Sequence, residues 1–284
     1  MNKIANLLKE FKRQVEITAY ILEHSDRFSE YEICDKFKIS QSTFRRDVQT
    51  LKELNVDIKS IKRRVVIDVR TKHLNELLSL YIAISTQNNI RNLSQLRHIF
   101  KHKTLSIFVD ILKAINEKKY LQIDYYHSGD EGKVRHVVEP IYLNPTHKSF
   151  YLIAYENGVL RFFRLEGIES TQRTTIRFNR EIPQLADIYK HSWGVYSGGK
   201  EILAILEFER IKETDGYFKN RILAEEQKVI YSTNLIKVQL KVKLSLEFVA
   251  WVMGWGNKIK IISPNTLKQQ VLENANGLLT IHNK

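Results

Sequence analysis

At residue 119 the hydrophobic pattern changes period, and that change constrains the fold more than any other feature of the chain. Before it, apolar residues recur three and four apart: Phe11, Val15, Ala19 and Leu22, then Ile33 and Phe37, then Phe44, Val48 and Leu51. After it, they alternate through LQIDYY, RHVVEPIYL, SFYLIAYE and VLRFFRL. The first spacing draws an apolar stripe along a helix; the second sets one face of a strand against a core. A chain of 284 residues has length for two or three domains. The pattern predicts a multidomain α+β protein with segments at 1–70, 71–118, 119–190 and 191–284.

Three short helices fit residues 10–55. Ser40 is placed to cap the third, because its hydroxyl can accept an orphan backbone N–H. On that helix Phe44, Val48 and Leu51 share one face, while Ser42, Arg45, Arg46 and Gln49 share the other, with Thr43 beside them. Guanidinium forks reach guanine or phosphate, a glutamine amide pairs with adenine, and a serine hydroxyl suits the backbone. Asp47 points to the core side and is expected to orient an arginine or cap a helix. Asp57–Ile61 and Arg64–Val69 can pair as a hairpin whose turn gathers Lys59, Lys62, Arg63 and Arg64. A solvated amphipathic helix, or a winged helix that binds protein, would show a similar stripe.

Net charge bears on the partner. The formal charge of +13 points to an anion, with nucleic acid the first suspect, although the excess is spread along the chain. Cys34 is the only cysteine, which excludes an intrachain disulfide and fits a reducing compartment. No apolar run approaches the roughly 18 residues of a membrane span. The N-terminus lacks a cleavable apolar core, so no secretory signal is expected and the cytoplasm is the expected location.

Residues 71–118 hold no glycine and no proline and are expected to form two or three helices. His98 and His102 stand four apart, but no nearby Cys, Asp or Glu completes a metal site. In the middle segment five short strands are expected, with turns at GDEG and at Asn157-Gly158, and they favour a small closed barrel. Tyr151 and Phe163 could stack bases there, and Arg135, His136, Arg161 and Arg164 could hold phosphate. The same residues read equally as barrel core and as rim salt bridges to Glu139, Glu156 or Glu166. Strand parity puts Arg161 and Arg164 on opposite faces unless a bulge intervenes.

The last segment reads βαββαβ, the order of the ferredoxin-like split unit. Its IKVQLKVKL run turns Ile236, Val238, Leu240, Val242 and Leu244 inward and Lys237, Gln239, Lys241 and Lys243 outward. A helix is expected after ILAILEFE, at about 214–224. Gly254 and Gly256 form a lone GxG without a third glycine, no nucleotide-binding or catalytic motif is present, and no cofactor or enzymatic activity is expected.

Three strings carry resemblances. STFRRDVQTL resembles the recognition helix of bacterial winged-helix regulators. SFYLIAYENGVLRFFRLEGI, preceded by EPIYL, resembles the signature of WYL-domain regulators, and WVMGWGNKIKIISPNTLKQQV resembles their C-terminal WCX extension. Phe150 replaces the tryptophan of the name-giving triplet, ahead of Tyr151 and Leu152, and Gly167 stands where an arginine is common. The resemblance implies a winged helix-turn-helix DNA reader, a helical linker, an Sm/SH3-like sensor barrel and the WCX domain. It further implies a homodimer on a double-stranded operator. A nucleic-acid fragment or nucleotide would sit on the barrel at Phe150, Tyr151, Phe163, Arg135, His136, Arg161 and Arg164, and phage-defence or DNA-damage regulation would be the setting. A non-specific nucleic-acid accessory factor and a nucleotide-acting enzyme are the rival expectations.

Overall fold

The computed structural model describes residues 2–85, 104–126, 132–146, 149–194, 199–219 and 221–282. His98, His102 and most of the GDEG turn lie outside the described residues. The chain divides into two compact units, Met1–Glu181 and Ile182–Lys284. Three of the segments expected from sequence therefore belong largely to one unit, and the expected boundary at 190/191 falls inside the other.

In the first unit α1 (Asn2–Glu23) is followed by α2 (Glu30–Phe37) and α3 (Gln41–Glu53). Helix α1 begins well before the expected residue 10. Ser29 and Glu32 close a capping box on α2, Lys38 ends it in the left-handed region at φ 53°, and the Ser40 hydroxyl accepts the Thr43 N–H. Strands β1 (Val56–Ile61) and β2 (Arg64–Val69) pair antiparallel in full register as the wing. Then come α4 (Thr71–Ser85) and α5 (Thr104–Glu117).

The strands expected after 119 are all present: β3 (Lys119–Tyr126), β4 (Lys133–Pro145), β5 (Phe150–Glu156), β6 (Val159–Arg164) and β7 (Ile168–Arg177). They form one antiparallel sheet in the order β6-β5-β4-β3-β7. No ladder joins β6 to β7 among the described residues, so the closed barrel expected from sequence is replaced by a sheet with two edges. Its longest strand, β4, shifts register against β5 between Pro140 and Tyr142, where proline lacks the N–H that a regular ladder requires.

One hydrophobic core runs through the whole unit, from Val15, Ile17 and Ile21 of α1, through Phe44 and Leu51 of α3, to Phe108 and Leu112 of α5 and Leu152 and Phe163 of the sheet. Helix α1 packs against both α3 and α5. Burying its apolar residues on two sides stabilises by roughly 1.5–3 kcal/mol per large side chain. The three N-terminal helices and the sheet thus share one core.

The second unit holds α6 (Leu185–Tyr189), β8 (Glu201–Glu209), α7 (Lys212–Phe218), β9 (Gln227–Tyr231), β10 (Leu235–Lys243), α8 (Leu246–Met253), β11 (Ile259–Ser263) and α9 (Asn265–His282). Helix α7 is shorter than the expected 214–224. The sheet is antiparallel with the order β11-β8-β10-β9. Ile236, Val238, Leu240 and Val242 are all fully buried, against Phe248 and Val252 of α8. Two of the lysines on the opposite face meet acids: Lys237 faces Glu207, and Lys241 lies 3.3 Å from Glu201 and 3.6 Å from Glu226, while Lys243 donates to the Ile188 carbonyl. That neutralisation makes the lysine face an ion-paired surface.

Candidate nucleic-acid interface and sensor face

Helix α3 is divided along its length by burial. Phe44, Asp47 and Leu51 are buried, and Ser42, Arg45, Arg46 and Gln49 are exposed. Asp47 is the polar residue that fixes the helix. Arg13 of α1 donates Nε and a terminal N–H to its two oxygens at 2.7 and 2.8 Å, and the Gln14 amide adds a third bond at 3.1 Å. A bidentate, charge-assisted pair of this kind sets angle as well as distance. The Asp47 hydrogen bond raises the Arg13 guanidinium above its already high range.

The exposed arginines are held by acids from other helices. Arg45 lies 3.1 Å from Glu30 of α2, and Arg46 lies 3.3 Å from Glu10 of α1. Exposed pairs are worth only about 0–1 kcal/mol, so an incoming phosphate or guanine can displace either acid. Thr43 is half-buried, with its hydroxyl 2.9 Å from that of Ser40, so it belongs to the cap rather than to the reading face.

At the wing tip Lys62 and Arg63 adopt φ of 49° and 66°. Both central residues of this two-residue turn therefore occupy the left-handed region that Asn and Gly ordinarily supply. Neither forms an ion pair with a described residue, and both are exposed. Arg64 is also exposed but is directed to the Arg27 carbonyl, with Glu32 at 3.7 Å. Lys59 pairs with Asp57 at 2.5 Å. The free cations of the wing are thus Lys62 and Arg63.

On the sheet the ladder between β5 and β6 runs without a bulge from Tyr151↔Arg164 to Glu156↔Val159. Unbroken parity puts Arg161 and Arg164 on opposite faces. Tyr151 and Arg164 are cross-strand partners on one face, where Arg164 lies 3.3 Å from Glu166 and its backbone N–H donates to the Tyr125 hydroxyl at 3.2 Å. On the other face His136 Nδ1 lies 2.7 Å from Glu156, Arg161 lies 3.7 Å from the same carboxylate, and the His136 ring packs edge-on against Phe163. Arg135 is tied to Asp124 on β3 at 2.9 Å; hydrogen bonds from Arg135 and then Ser170 hold the Asp124 carboxyl below the usual carboxylate range.

Two residues leave the expected contact set. Phe150 is only 2% exposed and packs edge-on against Phe108 of α5, and Phe163 is only 3% exposed. Both rings are core, because the even-numbered side chains of β5 and Phe163 opposite Leu152 face α5. The seven residues expected to share one effector site are therefore split between the two faces of the sheet, with Phe150 and Phe163 taken into the core. Gly167 has a local reason for being glycine: a Cβ there would stand 2.6 Å from the Tyr125 ring.

Residues 13–64 match the family model of an HTH domain, and residues 106–173 match that of the WYL domain. The chain is a WYL-domain protein with an N-terminal helix-turn-helix. Among solved structures, it is similar to the proteasome accessory factor B/C (PafBC) of Arthrobacter aurescens, at 16% identity and a TM-score of 0.30 over 92% of this chain. The chain spans 52% of that protein's length. It is also similar to a CRISPR Cas-related protein, at 10% identity and a TM-score of 0.42, covering 96% of this chain and 86% of the other. No curated protein matches the chain.

The WYL match starts inside α5, the helix that packs on the sheet. The helix-turn-helix domain makes DNA the implied partner. Among the described residues no helix is long and apolar enough to cross a membrane. Sequence reasoning missed Arg13, which holds Asp47 from 34 residues away. Its only sequence signal is the single arginine of α1, which points to Asp47 only once the partner is known.

Proposed function

We propose that the chain is a cytoplasmic, non-enzymatic DNA-binding transcription regulator that binds its operator as a homodimer. The reading rests on one arrangement: a helix rigidly held at Asp47 by Arg13 and Gln14 while Arg45, Arg46 and Gln49 stand outward beside two unpaired wing-tip cations. Arg46 and Gln49 would read base edges in the major groove, and Lys62 and Arg63 would meet phosphates. A dimer follows from reach, because one recognition helix contacts too few base pairs for useful specificity.

In this reading the WYL domain senses an effector, a nucleotide or single-stranded nucleic-acid fragment, on the face of Tyr151 and Arg164, where a ring and a guanidinium stand side by side. The five-stranded sheet is read as an opened Sm/SH3-like barrel, and the second unit as a ferredoxin-like WCX domain, since its βαββαβ order and its strand order agree with that topology. Regulation of phage defence or the DNA-damage response is the proposed setting.

The test is binding to the DNA upstream of the chain's own gene against excess random duplex, with and without a short single-stranded oligonucleotide. Retained binding to one site, altered by the oligonucleotide, is expected. Binding that random duplex abolishes would make the chain a non-specific accessory factor. Specific binding unmoved by the oligonucleotide would remove the effector.

A further inference from the structure

Arg13, Glu16 and Tyr20 lie three and four apart on α1, and Val109, Asp110 and Lys113 lie together on α5. Between these stripes is a cavity of about 250 Å³, bounded also by Lys36 and Phe37 of α2 and Arg173 of β7. It sits where the helix-turn-helix meets the WYL domain, away from the Tyr151–Arg164 face.

The charges on its wall are unevenly matched. Arg13 pairs with Asp47 at 2.7 Å, Lys113 with Glu16 at 2.6 Å and Arg173 with Asp110 at 2.9 Å. Lys36 forms no ion pair with a described residue; its Nζ lies 4.4 Å from the centre of the Tyr20 ring. Glu23 also lines the cavity and is exposed, so an anion is favoured only on the Lys36 side. Asp110 on the opposite wall is engaged by Arg173 and by the Thr171 hydroxyl, which donates to it at 2.9 Å. Tyr20, Phe37, Ala19 and Val109 supply the apolar part of the lining. The volume falls below the roughly 300–1,000 Å³ of pockets that hold drug-sized ligands, which limits the occupant to a small metabolite.

We propose that this cavity binds a small molecule carrying one carboxylate or phosphate group, seated at Lys36, and a flat apolar body lying along Tyr20, Phe37 and Val109. Arg13 belongs both to this wall and to the pair that holds α3. A ligand that draws Arg13 from Asp47 therefore changes the support of the recognition helix, which couples the two sites. This coupling, unlike the cavity, rests on the DNA-binding reading.

Isothermal titration of the full chain with benzoate and with phenyl phosphate reads the cavity without DNA. Saturable binding is expected, weakened at least tenfold by Lys36→Gln and abolished by Val109→Phe, which fills the space. Binding of phenyl phosphate alone assigns a phosphate ligand, and of benzoate alone a carboxylate. No saturable binding by either probe, or binding that Lys36→Gln leaves unchanged, overturns the site. Lys36 is exposed, so that variant decides the matter if the buried Val109 change prevents folding. Operator affinity that stays constant at saturating probe overturns the coupling. A chain that binds the probe but no specific DNA refutes the regulator reading and leaves the cavity standing.

Discussion

Asp47 and Gln49 are two positions apart on α3 and have opposite fates. Asp47 is 1% exposed and bound by three donors from α1, whereas Gln49 is exposed. The difference follows from the 3.6-residue turn, which sends positions two apart to opposite sides of a helix. Changes at the outward positions are therefore expected to alter recognition and spare the fold. Gln49→Ala or Arg46→Ala should cost about 1–3 kcal/mol against the preferred sequence and relax the preference at one base pair, as read by competition among single-substitution operators. Equal loss on all sequences would make these residues phosphate contacts. The division itself was legible from the sequence, because hydrophobic spacing reports which way a helical side chain points. The acids that hold Arg45 and Arg46 were not. Glu30 and Glu10 lie 15 and 36 residues away from them, at distances that local spacing cannot encode.

The two tight hairpins of the first unit pose the same backbone problem and answer it with different residues. Asn157 and Gly158 turn β5 into β6 with φ of 49° and 80°, and Lys62 and Arg63 turn β1 into β2 with φ of 49° and 66°. Left-handed backbone costs an ordinary L-residue about 1–2 kcal/mol. The wing therefore keeps two strained cations where a cheaper pair exists, a departure of the kind expected where function constrains a residue. The double change Lys62→Asn with Arg63→Gly should raise the thermal midpoint by a few degrees while weakening binding to every DNA sequence. The slope of log affinity against log salt should flatten by about one unit per lost phosphate contact. A variant with unchanged affinity would leave the strain without a purpose. The wing, the five sheet strands and the βαββαβ order were all readable as alternating runs. Closure of the sheet was not, since it depends on whether its edges meet. The burial of Phe150 was also hidden, because an alternating strand shows two faces without saying which one meets α5.

At the scale of the molecule, acid should act through carboxylates that the fold holds in the charged state. Asp124 is held low by Arg135, and Glu201 and Glu226 by hydrogen bonds to His191. A folded pKa below the unfolded one means that the native state binds fewer protons. Stability from these groups is then fully present above about pH 4–5 and is lost as pH falls through the folded values. Asp110, pushed up by burial, works the other way and gives its contribution at low pH. With more groups shifted down than up, the urea midpoint should hold steady from pH 7 to about 5 and fall below it. Asp124→Asn should flatten part of that fall. A midpoint that rises into acid would mean that the pairs do not form in solution.

Helix α1 gives one side to α3 and another to α5, and this has a consequence for building chimeras. A reading head borrowed from another regulator and joined at residue 70 would bring its own first helix, shaped for its own neighbours. Lys113 of α5, which pairs with Glu16 of α1 at 2.6 Å, would then lose its partner. Exchange of specificity in this chain should therefore proceed by grafting the outward side chains of α3 onto the existing helix, with any larger transplant cut near 181–182, where the two compact units part.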